Sequence, residues 1–397
     1  MSKDKYSSFR PDTRIVHTGG DPKAFKGVVN PPVYRASTVI FPTVQDMNEA
    51  TKNRFDTTFY GVHGTPTSFA LEDAMADLEG GYRAISVSSG LAAITTALIS
   101  FLNAGDHLLM VDSAYGPARN FCNTTLKRFG VETTYYDPMI GSGISDLIRP
   151  ETKVIFTESP GSYTFEIQDI PAIAEVAHQN DIKVMIDNTW SAGYFFKPFE
   201  HGVDISIQAT TKYQAGHADV ILGHIITKTE EDWHKIKVDT ATLGQAVSPD
   251  VSYLCLRGLR TLSVRLEQHQ ESALALAHWL QERPEFETIL HPAFASCPGH
   301  EIWLRDFTGS SGLFSVVLKD YTTEQVNAML DGMDYFAMGF SWGGFESLMV
   351  ASDPAKIRSA TTWEAAGPLL RIHAGQEDVE DLIADLERGL NRLTGKA

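Results

Sequence analysis

The chain has 397 residues, 43% apolar and 21% charged, with 33 Lys and Arg set against 50 Asp and Glu for a net charge of −17. This composition supports a sizeable core, excludes wholesale disorder and, at this length, predicts two or three domains. The acidic balance argues against a nucleic-acid backbone or an anionic membrane as partner and suits small cationic or zwitterionic ligands.

Residues 1–60 have weak periodicity and several prolines (Pro11, Pro22, Pro31, Pro32, Pro42), and are predicted to form an extended arm with at most one short helix. From residue 66 the texture changes. Phe69–Leu78 has helical spacing, Ala84–Val87 is a short β-rich run, and Ser88-Ser89-Gly90 opens an apolar helix. Strand-like runs follow at His107–Val111, Val131–Tyr135, Thr152–Thr157, Lys183–Asp187 and Asp204–Gln208, with helical periodicity at Gly116–Phe129 and Ile170–Asn180. Such alternation predicts a parallel sheet covered on both faces. Arg257–Glu282 is predicted as one long amphipathic helix with Leu262, Leu266 and Leu274 on its apolar side. A smaller α+β portion follows, with a strand at Leu313–Leu318 and helices at Thr323–Leu330 and Val379–Leu393. The expected division is an arm (1–60), a sheet domain (61–257) and a C-terminal domain (258–397).

Cys122, Cys255 and Cys297 lie far apart with no C-x-x-C pair, which excludes a disulfide framework or zinc ribbon and suits a reducing compartment. No apolar run approaches the roughly 20 residues that span a bilayer, and the N-terminus lacks a signal-peptide core. The expectation is a cytoplasmic protein with no membrane partner.

Three features suggest chemistry. At Ser88-Ser89-Gly90-Leu91 a strand turns into a helix, whose first N–H groups lack internal partners and favour an anion. This is neither G-x-G-x-x-G nor a P-loop, so dinucleotides and nucleoside triphosphates are disfavoured. Asp187 and Lys212 follow two successive predicted strands, where α/β sheets place their ligands. Separately, an Asp after a strand is usually a cap and a Lys is usually solvated. Together with a phosphate turn they match the needs of pyridoxal 5′-phosphate (PLP): a lysine for the Schiff base, a carboxylate for the pyridinium nitrogen and a helix terminus for the phosphate. Thr211 and the backbone at Ala209 are further phosphate donors, and Tyr115 is placed to stack on the ring.

Tyr60-Gly61, Gly64-Thr65-Pro66-Thr67, Ala114-Tyr115, Glu158-Ser159-Pro160-Gly161, Ile186–Trp190, Ile207–Tyr213 and Gly216–Asp219 resemble the cysteine/methionine-metabolism PLP enzymes. So do Arg257–Leu262, Gly299-His300-Glu301, Arg305–Ser310, Ser341-Trp342-Gly343-Gly344 and Leu370–His373 in the second half. The likeness is strongest to bacterial cystathionine β-lyases. It implies fold type I, with a mainly parallel seven-stranded sheet domain and a smaller C-terminal α+β domain. It also implies that Lys212 carries PLP, Asp187 faces its ring nitrogen, Tyr115 stacks on it, and Gly90, Leu91, Ala209 and Thr211 hold its phosphate. Tyr60 would reach the phosphate of a neighbouring subunit, so that the arm contributes to shared sites in a homotetramer built from two dimers. Arg371, with Ser341 and Trp342, would hold the substrate α-carboxylate.

Three changes at four positions depart from the family pattern: Val62 and His63 replace two arginines, Asn120 replaces an acid, and Phe340 replaces a tyrosine. All three changes would fall where the distal end of cystathionine sits. Either these are neutral changes in a true cystathionine β-lyase, or elimination has moved to another amino acid such as an S-alkyl cysteine, methionine or canavanine. Val62, His63 and Asn120 are therefore expected to face the substrate. Rival classes fare poorly. His217, Asp219 and His224 lack metalloprotease spacing, so no metal is expected. There is also no G-x-S-x-G elbow, and an inactive scaffold would not need Lys212, Asp187 and Arg371 together.

Overall fold

The computed structural model describes residues 8–365 and 367–396. Seven strands form the larger sheet: β1 (Arg83–Val87), β2 (His107–Val111), β3 (Glu132–Tyr136), β4 (Thr152–Glu158), β5 (Lys183–Asp187), β6 (Ile205–Gln208) and β7 (Gly223–Thr227), in the order β1-β7-β6-β5-β4-β2-β3. β3, β2, β4 and β5 pair in parallel. β7 runs antiparallel to both β1 and β6, an exception to the parallel sheet expected from the alternation. Four further strands, β8 (Phe286–Leu290), β9 (Leu313–Leu318), β10 (Leu348–Ser352) and β11 (Leu369–His373), form an antiparallel sheet in the order β10-β11-β9-β8.

The chain forms two compact units, one of residues up to 101 with Ala192–Ser263, the other of Leu102–Ser191 with 264 onward. In the first, Pro66 opens the helix Pro66–Glu79 with its φ already helical, and Gly80 closes it at φ 79°, a conformation that favours glycine. The apolar run after β1 becomes the helix Gly90–Phe101, buried through Ala93, Ile94, Ala97 and Leu98. The first 60 residues hold two short helices, Pro11–His17 and Val44–Lys52, one more than the sequence suggested. The single helix expected over Arg257–Glu282 is instead two, Pro249–Leu259 and Leu262–Gln281. The break falls at Arg260, whose guanidinium donates to the Ile15 and Thr18 carbonyls at 2.8 and 2.7 Å.

In the second unit the smaller sheet buries Phe314, Val316, Leu318, Leu370 and Ile372. Against them lie Ala273, Leu276, Ala277 and Leu280 of one helix and Leu382, Leu386 and Leu390 of the helix Val379–Thr394. The helix expected over Gly116–Phe129 keeps its α form only to Phe121 and widens into a π turn at Cys122–Leu126.

Candidate active site

The first unit carries Gly90, Leu91, Ala209, Thr211 and Lys212, which the sequence reading assigned to the cofactor. Ser89 Oγ accepts the Ala92 N–H at 3.1 Å, and the Ser89 carbonyl accepts that of Ala93 at 3.0 Å. Among the described residues, the N–H groups of Gly90 and Leu91 remain as the open donors of the first turn. A Cβ on Gly90 would lie 2.5 Å from the Ala209 Cβ, so only glycine lets this helix start approach the 209–212 segment. Lys212 donates its main-chain N–H to the Ala209 carbonyl at 2.9 Å, and its own carbonyl accepts from Gly216 at 2.8 Å. The Thr211 hydroxyl exchanges two hydrogen bonds with the Leu222 main chain, at 3.1 and 3.0 Å, which pins the segment to the residues entering β7.

Beneath this segment runs a buried polar line. His224 bridges Thr210 Oγ1 at 3.1 Å and Ser86 Oγ at 3.0 Å, and the Ser86 N–H donates to Glu72 Oε1 at 2.9 Å. Glu72 in turn pairs with the buried Lys237 at 3.5 Å. Burial, with Lys237 nearby, lowers His224 to about 3, so the ring works as a neutral hydrogen-bonding bridge.

Tyr60 is exposed. His63 lies among the rings of Phe55, Phe59 and Tyr60, with centroids 5.5–6.3 Å away. It also lines a small cavity with Val62, Glu72 and Lys237. Desolvation, then Arg54 and Lys237, hold His63 below the ordinary histidine value and so favour its neutral form.

The second unit carries Tyr115, Asn120, Asp187, Ser341, Trp342 and Arg371. Asp187 ends β5 and accepts both the N–H of Thr189, at 3.0 Å, and its hydroxyl, at 2.5 Å. Its register partner at the end of β4 is Glu158, to which the sequence reading gave no role although, like Asp187, it closes a strand. Glu158 Oε2 accepts the main-chain N–H of Tyr115 at 2.7 Å, fixing the residue that leads into the Gly116–Phe121 helix. Desolvation and the adjacent Asp187 push the Glu158 carboxyl well above the carboxylate range. Tyr115 is half-exposed, and Asn120 points from an exposed position on the same helix.

Arg371 sits mid-strand in β11 and donates through Nη2 to the Ser341 carbonyl at 3.2 Å; Ser341 adopts φ 78°. Among the described residues no carboxylate pairs with Arg371. Trp342 follows on the same loop, half-buried, whereas Phe340 is 97% exposed. A latch unseen from sequence holds the loop after β2. Asp112, fully buried, accepts from Arg119 and from the main chains of Ser359, Ala360 and Thr361, all at 2.9–3.1 Å.

A glycine-gated helix start, a lysine loop, a half-exposed tyrosine and a strand-end carboxylate are residue types that PLP needs, and the chemistry of this donor set fits it. The family model "Cys/Met metabolism PLP-dependent enzyme" matches residues 12–391. The chain belongs to that family. Cystathionine β-lyase of Haemophilus influenzae is 47% identical over 388 residues, covering 96% of this chain and 98% of its own. Cystathionine β-lyase MetC of Escherichia coli is 44% identical over 389 residues, covering 96% and 98%. The crystal structure of metB from Corynebacterium glutamicum superposes with a TM-score of 0.90 at 30% identity, covering 99% of this chain and 100% of its own. The chain is thus a PLP-dependent carbon–heteroatom lyase of the cystathionine β-lyase-like kind, with a fold-type-I architecture and PLP as its cofactor. No helix among the described residues is long and apolar enough to cross a membrane.

Proposed function

We propose that this enzyme eliminates a heteroatom-linked substituent from Cβ or Cγ of an amino acid whose distal end carries no carboxylate, canavanine being the example that best suits its charge. The observation that carries this reading is at Val62 and His63. Where the family pattern has two arginines, this chain has an aliphatic side chain and a ring held neutral among aromatics. Losing one partner of a desolvated charge pair typically costs about 2–5 kcal/mol, so the distal carboxylate of cystathionine would bind poorly.

Lys212, Asp187 and Tyr115 would hold the cofactor ring, and the N–H groups of Gly90 and Leu91, with Ala209 and Thr211, its phosphate. When bound, PLP supplies the electron sink for the carbanion left at the substrate Cα. Arg371 grips the α-carboxylate, with Ser341 and Trp342 beside it, and so fixes which Cα bond breaks. The Lys212 amine removes the Cα proton and returns one later. Asp187 supplies the negative charge that keeps the ring nitrogen protonated, and the neutral Glu158 adds no second anion. We further place the enzyme in the cytoplasm as a homotetramer, with Tyr60 of each arm completing a neighbour's phosphate site.

A second reading, supported by the two relatives named cystathionine β-lyase, is that cystathionine itself is the substrate. A panel of cystathionine, S-alkyl cysteines, methionine, homoserine esters and canavanine, followed by 2-oxo-acid and ammonia release, separates the two. High kcat/KM for a substrate without a distal carboxylate, and poor turnover of cystathionine, supports the proposal. Cystathionine as the best substrate, giving pyruvate and homocysteine, overturns it.

A further inference from the structure

The turn after β4 has an unusual backbone. Tyr163 and Phe165 both have positive φ, 65° and 59°, a region that non-glycine residues seldom occupy. The turn is over-determined by its neighbours. Ser162 donates its N–H to the Ser113 carbonyl at 2.8 Å, and Phe165 donates to Gly161 at 3.0 Å. Glu166 accepts the Thr164 hydroxyl at 2.6 Å and pairs with the buried Arg358 at 2.5 Å. The result is to present one half-buried side chain, Tyr163, whose ring centroid lies 5.4 Å from the Arg371 guanidinium carbon. The Tyr163 hydroxyl makes no hydrogen bond among the described residues.

Among the described residues Arg371 has a single side-chain hydrogen bond, to the Ser341 carbonyl, and no carboxylate partner. One such contact leaves a guanidinium free to swing, yet a carboxylate clamp works only if the fork is aimed before substrate arrives. An aromatic face within about 6 Å is the other contact able to hold it. We propose that Tyr163 is a positioning residue, its ring face holding Arg371 in the orientation that receives the substrate α-carboxylate. This rests on the assignment of Arg371 as the carboxylate-binding residue. The strained backbone at Tyr163 follows from this role: it places the ring beside Arg371.

The test uses the holoenzyme with Tyr163→Phe, Tyr163→Leu and Arg371→Ala. It reads KM and kcat for the best substrate, and binding of propionate, a plain carboxylate, by calorimetry. Tyr163→Leu should raise KM and weaken propionate about tenfold, with kcat within about twofold, while Tyr163→Phe keeps both near the parent value. Tyr163→Asn, a residue at ease with positive φ, gives a second ring-less variant if the leucine form does not fold. Equal losses in the Phe and Leu variants would assign the effect to the hydroxyl and overturn the proposal. So would unchanged propionate binding in both ring-less variants while Arg371→Ala weakens it. If Arg371→Ala leaves propionate binding intact, the carboxylate assignment itself fails, and the positioning role with it.

Discussion

The carboxyl of Glu158 accepts the main-chain N–H of Tyr115 at 2.7 Å, so the position of Tyr115 is set from the end of β4 rather than by its own loop alone. Glu158→Gln keeps an acceptor there and should hold activity within about threefold, whereas Glu158→Ala strands the N–H and should lower kcat/KM about tenfold. The folded carboxyl holds its proton above the ordinary 4.5, so its contribution to stability is full below that value and declines as pH rises through the folded pKa. Denaturation at about pH 5 and about pH 8 checks this: Glu158→Gln, which cannot ionise, should lose less stability between the two than the parent.

Lys212→Ala should abolish 2-oxo-acid release and the visible absorbance of the bound cofactor while leaving the fold intact, since its side chain is assigned to chemistry. Substantial residual turnover would remove Lys212 from that role.

Gly90→Ala would drive a methyl to within 2.5 Å of the Ala209 Cβ and part the helix start from the lysine loop. Retention of PLP on dialysis should fall at least tenfold, with a stability loss of about 1–3 kcal/mol. Unchanged retention would mean that the phosphate is held elsewhere.

The strands His107–Val111 and Lys183–Asp187 are legible to the residue, because each is an uninterrupted apolar run closed by polar residues. β7 is not, since Gly223 and His224 break its pattern; that histidine is inside because Ser86 and Thr210 satisfy both ring nitrogens. β11 was also missed as a strand, although its Arg371 had been singled out, because one charged residue in five masks a short strand. Asp112 was beyond reach: its partners stand at Ser359–Thr361, some 250 positions along the chain. The site residues were legible through motifs that state residue types. The geometry that aims them, at Glu158, Tyr163 and Asp112, depends on long-range contacts with no local signature.

Asp112 has no water to fall back on. Burial alone would raise its pKa, but the Ser359, Thr361 and Ala360 donors outweigh it and hold the carboxyl below 3.8. That stability is present above about 3.8 and lost as pH falls through the folded value. Asp112→Ala should cost about 3–5 kcal/mol by chemical denaturation, because Arg119 and the main-chain donors lose their acceptor together.

Buried histidines make the enzyme acid-sensitive at a milder pH. His224 and His291 are lowered to about 3 and His269 to about 4, in each case chiefly by burial. The unfolded chain takes up these protons near 6.5 and the folded one does not, so stability is full above 6.5 and falls below it, by about 1.4 kcal/mol per histidine per pH unit. Denaturation midpoints at about pH 7, 6 and 5 should show this slope, and His224→Gln should reduce it by about 1.4 kcal/mol per pH unit.

The antiparallel pairing of β1 with β7 has a consequence for birth rather than catalysis. Val87 must wait for Gly223, its register partner, before this edge of the sheet exists. At a synthesis rate of roughly 5–20 residues per second the interval is on the order of 10 s. Throughout it, β1 and the apolar helix after it stand without their hydrogen-bonding neighbour, a segment that a nascent-chain chaperone would be expected to cover.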